Sequence, residues 1–235
     1  MRDLSVIIPL GPGEKGLGRL LGDLLLLPHR TEVIFVCCKQ NYPFPEHERI
    51  NRVLSHLRVR WIISDTGRAL QLNSGAKSAT GEVLWFLHAD SGFDPMLLKT
   101  LFSNLRVYPE AFHFCRLAFM ADGPPKMRIN QWGANLRSRY FGVPFGDQGF
   151  SIHKKLFDQL KGYPLNAPYG EDHLFVWRAR QQKIELVECP HPLMTSARKY
   201  QQKGWGALTL LYQYLWLKQA FPQWWSCYIS PFYNR

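Results

Sequence analysis

A chain of 235 residues with 46% hydrophobic content can bury a substantial core as one large domain, with or without an appended C-terminal segment. Its formal net charge of +11 favours anionic partners such as nucleotides, nucleic acid or an acidic membrane face, and charge does not separate those three. No apolar run reaches the roughly 18 residues of a spanning helix, and the start MRDLSVIIPL lacks a long apolar core and a small-residue cleavage site, so a soluble, globular, cytoplasmic protein is expected. The five cysteines form no CxxC pair and the eight histidines show no HxxxH or HExxH spacing, which argues against a disulfide framework and a zinc site. The basic excess is strongest after Asp172, where Glu185 and Glu188 are the only acids; this end is expected to face something negative.

Residues 4–9 (LSVIIP) read as a first buried strand, and residues 16–27 as a helix whose leucines repeat at helical spacing until Pro28 stops it. Between them, Gly11-Pro12-Gly13-Glu14-Lys15-Gly16 matches GxGxxG in the strand-to-helix context of a dinucleotide fingerprint. That fingerprint also wants an acid at the end of the next strand for the ribose hydroxyl. Residues 32–37 are followed by Cys38 and end in Cys37 instead, which argues against a nicotinamide or flavin site. Residues 46–57 read as a helix and residues 58–64 (RVRWIIS) as a third strand, and strands separated by helices imply a parallel, doubly wound sheet. In residues 65–77 the apolar Ala69, Leu72 and Ala76, continued by Ala79, share one helical face and leave Arg68 and Asn73 for polar contacts. A glycine and an arginine at a helix N-terminus suit an anionic ligand, and a solvated helix with a turn glycine fits the same pattern.

The stretch EVLWFLHAD, residues 82–90, is an apolar run of strand length that ends in His88 and Asp90 before Ser91 and Gly92 break it. In open α/β sheets ligands bind at that edge, where an aspartate either caps a turn or ligates a hard divalent cation that neutralises diphosphate oxygens. A helix over 95–107, a strand over 113–120 and a helix over 127–140 carrying Arg128, Arg137 and Arg139 follow. Three glycines and a proline around Asp147 and Gln148 make a tight loop that holds polar groups against something. A short strand, a helix from Lys154 and the turn at Gly162-Tyr163-Pro164 lead to Glu171 and Asp172, at the start of another helix. Acids there are favourable dipole partners, and desolvation by neighbouring aromatics would instead raise a carboxylate pKa toward base chemistry. A strand over 184–187 precedes TSARKY, and a last helix over 205–220 is apolar nearly all round and leads into Phe221, Trp224, Trp225 and Tyr228.

Four segments in this order, GRALQLNSGAKSATGEVLWFLHAD, LRSRYFGVPFGDQGFSIHKKLF, GEDHLFVWRARQQ and TSARKYQQKGW, give the chain its resemblance to the inverting family-two glycosyltransferases of the GT-A fold. It is most similar to a small bacterial branch, the radical-SAM/selenobiology-associated glycosyltransferases, over Ser5 to about Phe221. The resemblance implies an α/β, GT-A type, doubly wound, mostly parallel sheet with a C-terminal helical segment. It also implies transfer of a sugar from a nucleotide-diphospho-sugar to an acceptor hydroxyl that the sequence does not identify. HAD would stand in place of the DxD motif, with Asp90 and His88 holding Mg²⁺ or Mn²⁺ against the donor diphosphate. Gly67, Arg68, Asn73 and Gly75 would line the donor site, and Asp147 and Gln148 would meet the transferred sugar or the acceptor. Asp172 would be the general base with Glu171 beside it, and Arg198 with Lys199 would stabilise the departing diphosphate. The family's usual acid after the second strand is replaced by Cys37 and Cys38, and its usual Asn-Glu after the first strand by the loop of residues 11–16.

Two other readings remain open at this level. The loop with Lys15 also suits a nucleotidyltransferase on a related sheet, and the basic aromatic C-terminus also suits a catalytically silent nucleotide- or membrane-binding protein. No recognisable nucleic-acid module interleaves with the charge, so nucleic acid is not an expected partner. The expected division is a domain over residues 1–200 and a helix with an aromatic tail over 201–235, packed on the domain, on a second copy in a homodimer or peripherally on an anionic membrane.

Overall fold

The structure is a computed structural model that describes residues 3–14 and 17–228, with the backbone alone at Tyr228. Lys15 and Gly16 of the glycine loop and Arg235 of the basic tail lie outside the described residues. In chain order the elements are β1 (Leu4–Leu10), α1 (Arg19–Asp23), β2 (Glu32–Cys38), α2 (His47–Val53), β3 (Arg58–Ser64), α3 (Arg68–Ser78), β4 (Val83–Phe86) and β5 (Ser91–Gly92). Then come α4 (Pro95–Val107), β6 (Phe112–Phe119), α5 (Met127–Phe141), β7 (Ser151–His153), α6 (Lys154–Gln159), α7 (Glu171–Gln181), β8 (Leu186–Thr195), α8 (Arg198–Lys203) and α9 (Trp205–Tyr228).

The strands form one mostly parallel sheet of eight in the order β3-β2-β1-β4-β7-β6-β8-β5. β1 pairs in parallel with both β2 and β4, β2 with β3, and β6 with β8, while β7 runs antiparallel to β4 and β6. Because successive strand side chains point to opposite faces, β1 sends Val6, Ile8 and Leu10 into one apolar cluster and Ile7 into the other. Both faces are covered by helices, which is why β1, β2 and β4 read as continuous apolar runs instead of alternating ones.

Local chemistry sets several helix ends. The Asp94 carboxylate accepts a hydrogen bond from the Leu97 amide at 2.9 Å, and Pro95 supplies the preset first position of α4. α5 ends where Gly142 turns left-handed at φ 62°. The helix expected over residues 16–27 is shorter, with α1 passing into a 3₁₀ turn at Leu24–Leu26.

Three departures from the sequence reading have physical causes. Ser91 and Gly92 do not end the sheet but form β5, antiparallel to Met194 and Thr195. β8 runs through Pro190 and Pro192, where its pairing with β6 shifts register between Cys115 and Arg116 and where β5, which covers only Met194 and Thr195, does not reach. α9 continues past Ala220 and through Pro222 to Tyr228, held against α7 by Trp177 packing on Ala220 and by a Gln181–Gln223 side-chain bond at 3.1 Å.

At the C-terminal edge the buried Gln71 amide on α3 donates to the carbonyls of Leu10 at 2.9 Å and Val36 at 2.7 Å, pinning the ends of β1 and β2 beneath the α3 N-terminus. That approach depends on Gly75, where an added Cβ would stand 2.4 Å from Cγ2 of the buried Ile7. Gly75→Ala is therefore expected to lower stability by about 2 kcal/mol in denaturant unfolding. An unchanged midpoint would show that α3 does not need this approach to β1.

Candidate active site

One cleft of about 640 Å³ opens at the C-terminal edge of the parallel strands, where ligands bind in α/β sheets. The loop after β1 brings Gly11, Pro12 and Glu14, the turn into α3 brings Gly67 and Arg68, and the end of β4 brings His88 and Asp90. The opposite side is made by Arg137 of α5, Asp147, Asp172 and His173 of α7, Arg198 and Lys199 of α8, and Trp216 and Gln219 of α9. Gly67, Arg68, His88, Asp90, Asp147, Asp172, Arg198 and Lys199 are thus brought together from segments up to 132 residues apart.

The remaining expected site residues stand elsewhere. Asn73 is spent on the backbone of Tyr163, accepting from its amide and donating to its carbonyl, each at 2.8 Å. Gly75 packs on Ile7. The buried Gln148 side chain accepts from the Ser138 hydroxyl at 2.6 Å and from the Phe145 amide, and donates to the Cys115 carbonyl at 2.9 Å, so it builds the loop. Glu171 lies beside the cleft and pairs with Arg68 at 3.6 Å, its pKa raised by burial and then by Asp172.

Asp172 is fixed by two amides, its Oδ2 accepting from Gly146 N–H at 2.6 Å and its Oδ1 from His173 N–H at 2.8 Å. An added Cβ on Gly146 would stand 2.9 Å from that Oδ2, so the glycine allows the close approach. His88 is driven well below the usual histidine pKa by burial and then by the charges of Arg68 and Lys199, so its imidazole is neutral at physiological pH. Asp147 behaves oppositely: burial pushes its carboxyl up to about 6, against the pull of Arg137, and its Oδ1 is buried without a hydrogen-bond partner. Arg198 reaches across the cleft mouth to Glu14 at 3.8 Å, a half-exposed pair of little net strength that leaves the guanidinium open to a stronger anion.

Arg137 is the residue the sequence did not single out. It is buried, its Nε donates to the Val143 carbonyl at 3.0 Å, and its guanidinium lies 3.6 Å from the Phe145 ring centroid. Burial lowers its pKa to about 10 while Asp147 and Asp172 work to raise it, so it stays cationic. Its signal was faint, an arginine on the same helical face as Asn130 and Ala134. His173 was also missed. Its Nδ1–H donates to the Gln219 amide oxygen at 2.6 Å and its Nε2 accepts from the Trp177 indole at 2.8 Å, which ties α7 to α9.

Asp90 and a neutral His88 offer one carboxylate oxygen donor and one imidazole nitrogen donor. That set fits a divalent ion which keeps its other positions for phosphate oxygens and water. Among the described residues no group of three His, Cys, Asp or Glu forms a cage able to hold a metal without such help.

No protein-family model and no curated protein sequence matches the chain. Solved structures do match its fold. TarS of S. aureus, residues 1–349 in complex with UDP-GlcNAc, superposes with a TM-score of 0.63 at 18% identity over 83% of this chain and 58% of that one. The mannosyltransferase PcManGT from Pyrobaculum calidifontis, in complex with GDP-Man and Mn²⁺, gives 0.64 at 17% identity over 83% of this chain and 58% of that one. The chain thus has the fold of the GT-A glycosyltransferases and spans less than two thirds of these neighbours' lengths.

The raised Asp147 pKa has a consequence for stability. Between the ordinary carboxyl value of 3.8 and about 6 the folded chain holds a proton that the unfolded chain has released, so this group makes stability fall as pH rises through that window. Asp147→Asn is expected to stabilise the ligand-free protein by about 2 kcal/mol at pH 7.5 and to give almost no gain near pH 4, measured by denaturant melts at both pH values. Equal gains at both would show that the carboxyl is not strained.

Proposed function

We propose that the chain is an inverting glycosyltransferase that moves a sugar from a nucleoside-diphosphate sugar to an acceptor hydroxyl. The observation that carries the reading is the convergence of Asp90, His88, Arg68, Lys199, Arg198 and Asp172 on one cleft at the ligand-binding edge of a GT-A sheet. Two neighbours of this fold hold UDP-GlcNAc and GDP-Man, which supports a donor of that chemical class.

In this reading Asp172, held by two amides with lone pairs to spare, accepts the proton of the acceptor hydroxyl as its oxygen attacks the anomeric carbon. The bond from that carbon to the diphosphate oxygen breaks, and the nucleoside diphosphate leaves with the electron pair. One carboxylate suffices because a single displacement inverts the centre without a covalent sugar intermediate. Arg68, Lys199 and Arg198 meet the charge that gathers on the leaving group, Arg198 by exchanging Glu14 for phosphate. Asp90 and His88 would hold Mg²⁺ or Mn²⁺, which when bound supplies further neutralisation of the diphosphate. Asp147, with its unsatisfied oxygen, faces the space left for the sugar or the acceptor.

The test is a thermal-shift panel of nucleotide sugars. A matching donor with Mn²⁺ at about a hundred times its Kd is expected to raise Tm by about 5 °C or more, and by less when EDTA replaces the metal. No shift with any nucleotide sugar would sink the proposal. Asp172→Asn is expected to cut turnover at least ~100-fold while changing donor affinity less than about twofold; undiminished turnover would remove Asp172 from the base role.

A further inference from the structure

α5 and α9 lie side by side and run in the same direction. Lys126 sits over the Trp205 ring, Asn130 bonds to Trp205 and Thr209, and Arg137 lies over Trp216, a set of contacts that keeps its order along both helices. Their inward faces line the cleft, through Ala134 and Arg137 on α5 and Trp216 and Gln219 on α9. Their outward faces are unusual for a water-exposed surface.

On α9 the outward stripe is Leu210, Tyr214, Leu217, Phe221, Trp224 and Trp225, recurring every three or four residues, with Leu210 73% and Phe221 64% exposed. On α5 it is Ile129, Trp132 and Tyr140, with Trp132 67% exposed. Side by side, these stripes make a contiguous apolar patch of the kind that marks an interaction surface.

Charge selects the occupant. Neither residues 126–146 nor residues 197–235 contain a single Asp or Glu. The exposed charged residues these helices carry are all basic: Lys126 just before α5, Arg128 and Arg139 on it and Lys218 on α9, with Lys203 at the end of α8. Beside the α5 C-terminus, Arg139, Tyr140, Phe141 and Lys183 line an open basic hollow of about 370 Å³, a fit for a phosphate headgroup. A helix-on-helix interface with a second copy would place these like charges together, and α9 carries no acidic flanking positions to pair with them. Aromatic and leucine side chains beside arginines and lysines instead match the boundary between acyl chains and anionic headgroups. Among the described residues no helix is long and apolar enough to cross a membrane, so the contact is with one leaflet.

We propose that the outward face of α5 and α9 docks the protein on an anionic lipid surface, which places the cleft's α5–α9 wall at the membrane. The inference stands on surface composition and does not depend on the transfer reaction proposed above.

The full chain should co-sediment with vesicles of phosphatidylglycerol mixed into phosphatidylcholine, with a blue shift of tryptophan emission, and bind at least tenfold more weakly to phosphatidylcholine alone. Half-molar salt should weaken the binding. Leu217→Glu with Phe221→Glu should abolish it at unchanged far-UV circular dichroism. Should that variant misfold, Arg128→Gln with Arg139→Gln provides a second arm, expected to weaken anionic-vesicle binding at least tenfold, from about fivefold per arginine near the surface. Absence of binding at low salt, equal binding to neutral vesicles, or full binding by the double glutamine variant would overturn the proposal. So would a dimer in sedimentation equilibrium that Leu217→Glu dissociates and that binds no vesicles, since the face would then belong to a second copy.

Discussion

Beneath the cleft a guanidinium has been taken out of water, and the surrounding elements are arranged to make that tolerable. Arg137 keeps its charge because Asp147 and Asp172 surround it, the Val143 carbonyl takes its Nε hydrogen and the Phe145 ring covers its face. These partners come from the turn after α5 and from the start of α7, so both are drawn to one point on α5. An uncompensated buried cation would cost far more than any one of these contacts returns, which makes the cluster cooperative. The strain appears on Asp147, whose carboxyl is raised to about 6 although a cation lies beside it, because burial outweighs the attraction.

The same site shows why α9 belongs with the cleft. His173 follows Asp172 directly, and its ring is held between Gln219 and Trp177. Gln219 also donates to the Tyr169 carbonyl at 2.8 Å, just before the acids. A shift of α9 would therefore be felt at the peptide carrying Asp172, without any direct contact between that helix and the carboxylate. Polar and aromatic residues on the inner face of α9 serve this purpose. Its outer face, which has no such duty, is where the apolar stripe lies.

Much of the fold was legible because buried parallel strands have to be written as apolar runs, and β1, β2 and β4 are. α4 was readable in full from Asp94-Pro95 and its apolar period. The second half of the sheet was harder. β5 is two residues long and exists only because β8 passes beside it, and β8 contains two prolines that argue against a strand until its open outer side is known. At the site, Asp90 was legible as a carboxylate ending an apolar run, Arg68 as a cation after a glycine at a helix start and Asp172 as an acid in a helix's first turn, and all three line the cleft. Asn73 and Gln148 also read as polar groups free for a ligand, yet they are consumed by backbone groups far along the chain, which no local pattern reveals. Arg137 was hidden for the opposite reason, since a buried cation on an otherwise polar helix resembles a solvated one until its partners, ten and thirty-five residues away, are brought to it.

The chemistry of His88 can be understood from the charges around it. Arg68 and Lys199 already stand close enough to depress its proton affinity, after burial has done most of that work. A carboxylate at this position would pair with those two cations and hold them. A neutral imidazole leaves their charge uncommitted while still offering a nitrogen lone pair toward the cleft. Asp90 is then the remaining anionic group on that turn, and the positive potential on this side of the cleft is set mainly by side chains. A diphosphate entering here would meet Lys199 and two arginines whose present partners are weak, as the 3.6 Å and 3.8 Å separations of the Arg68 and Arg198 pairs show. Exchanging such partners for phosphate costs little, so the electrostatic attraction is available to the ligand instead of being spent within the protein.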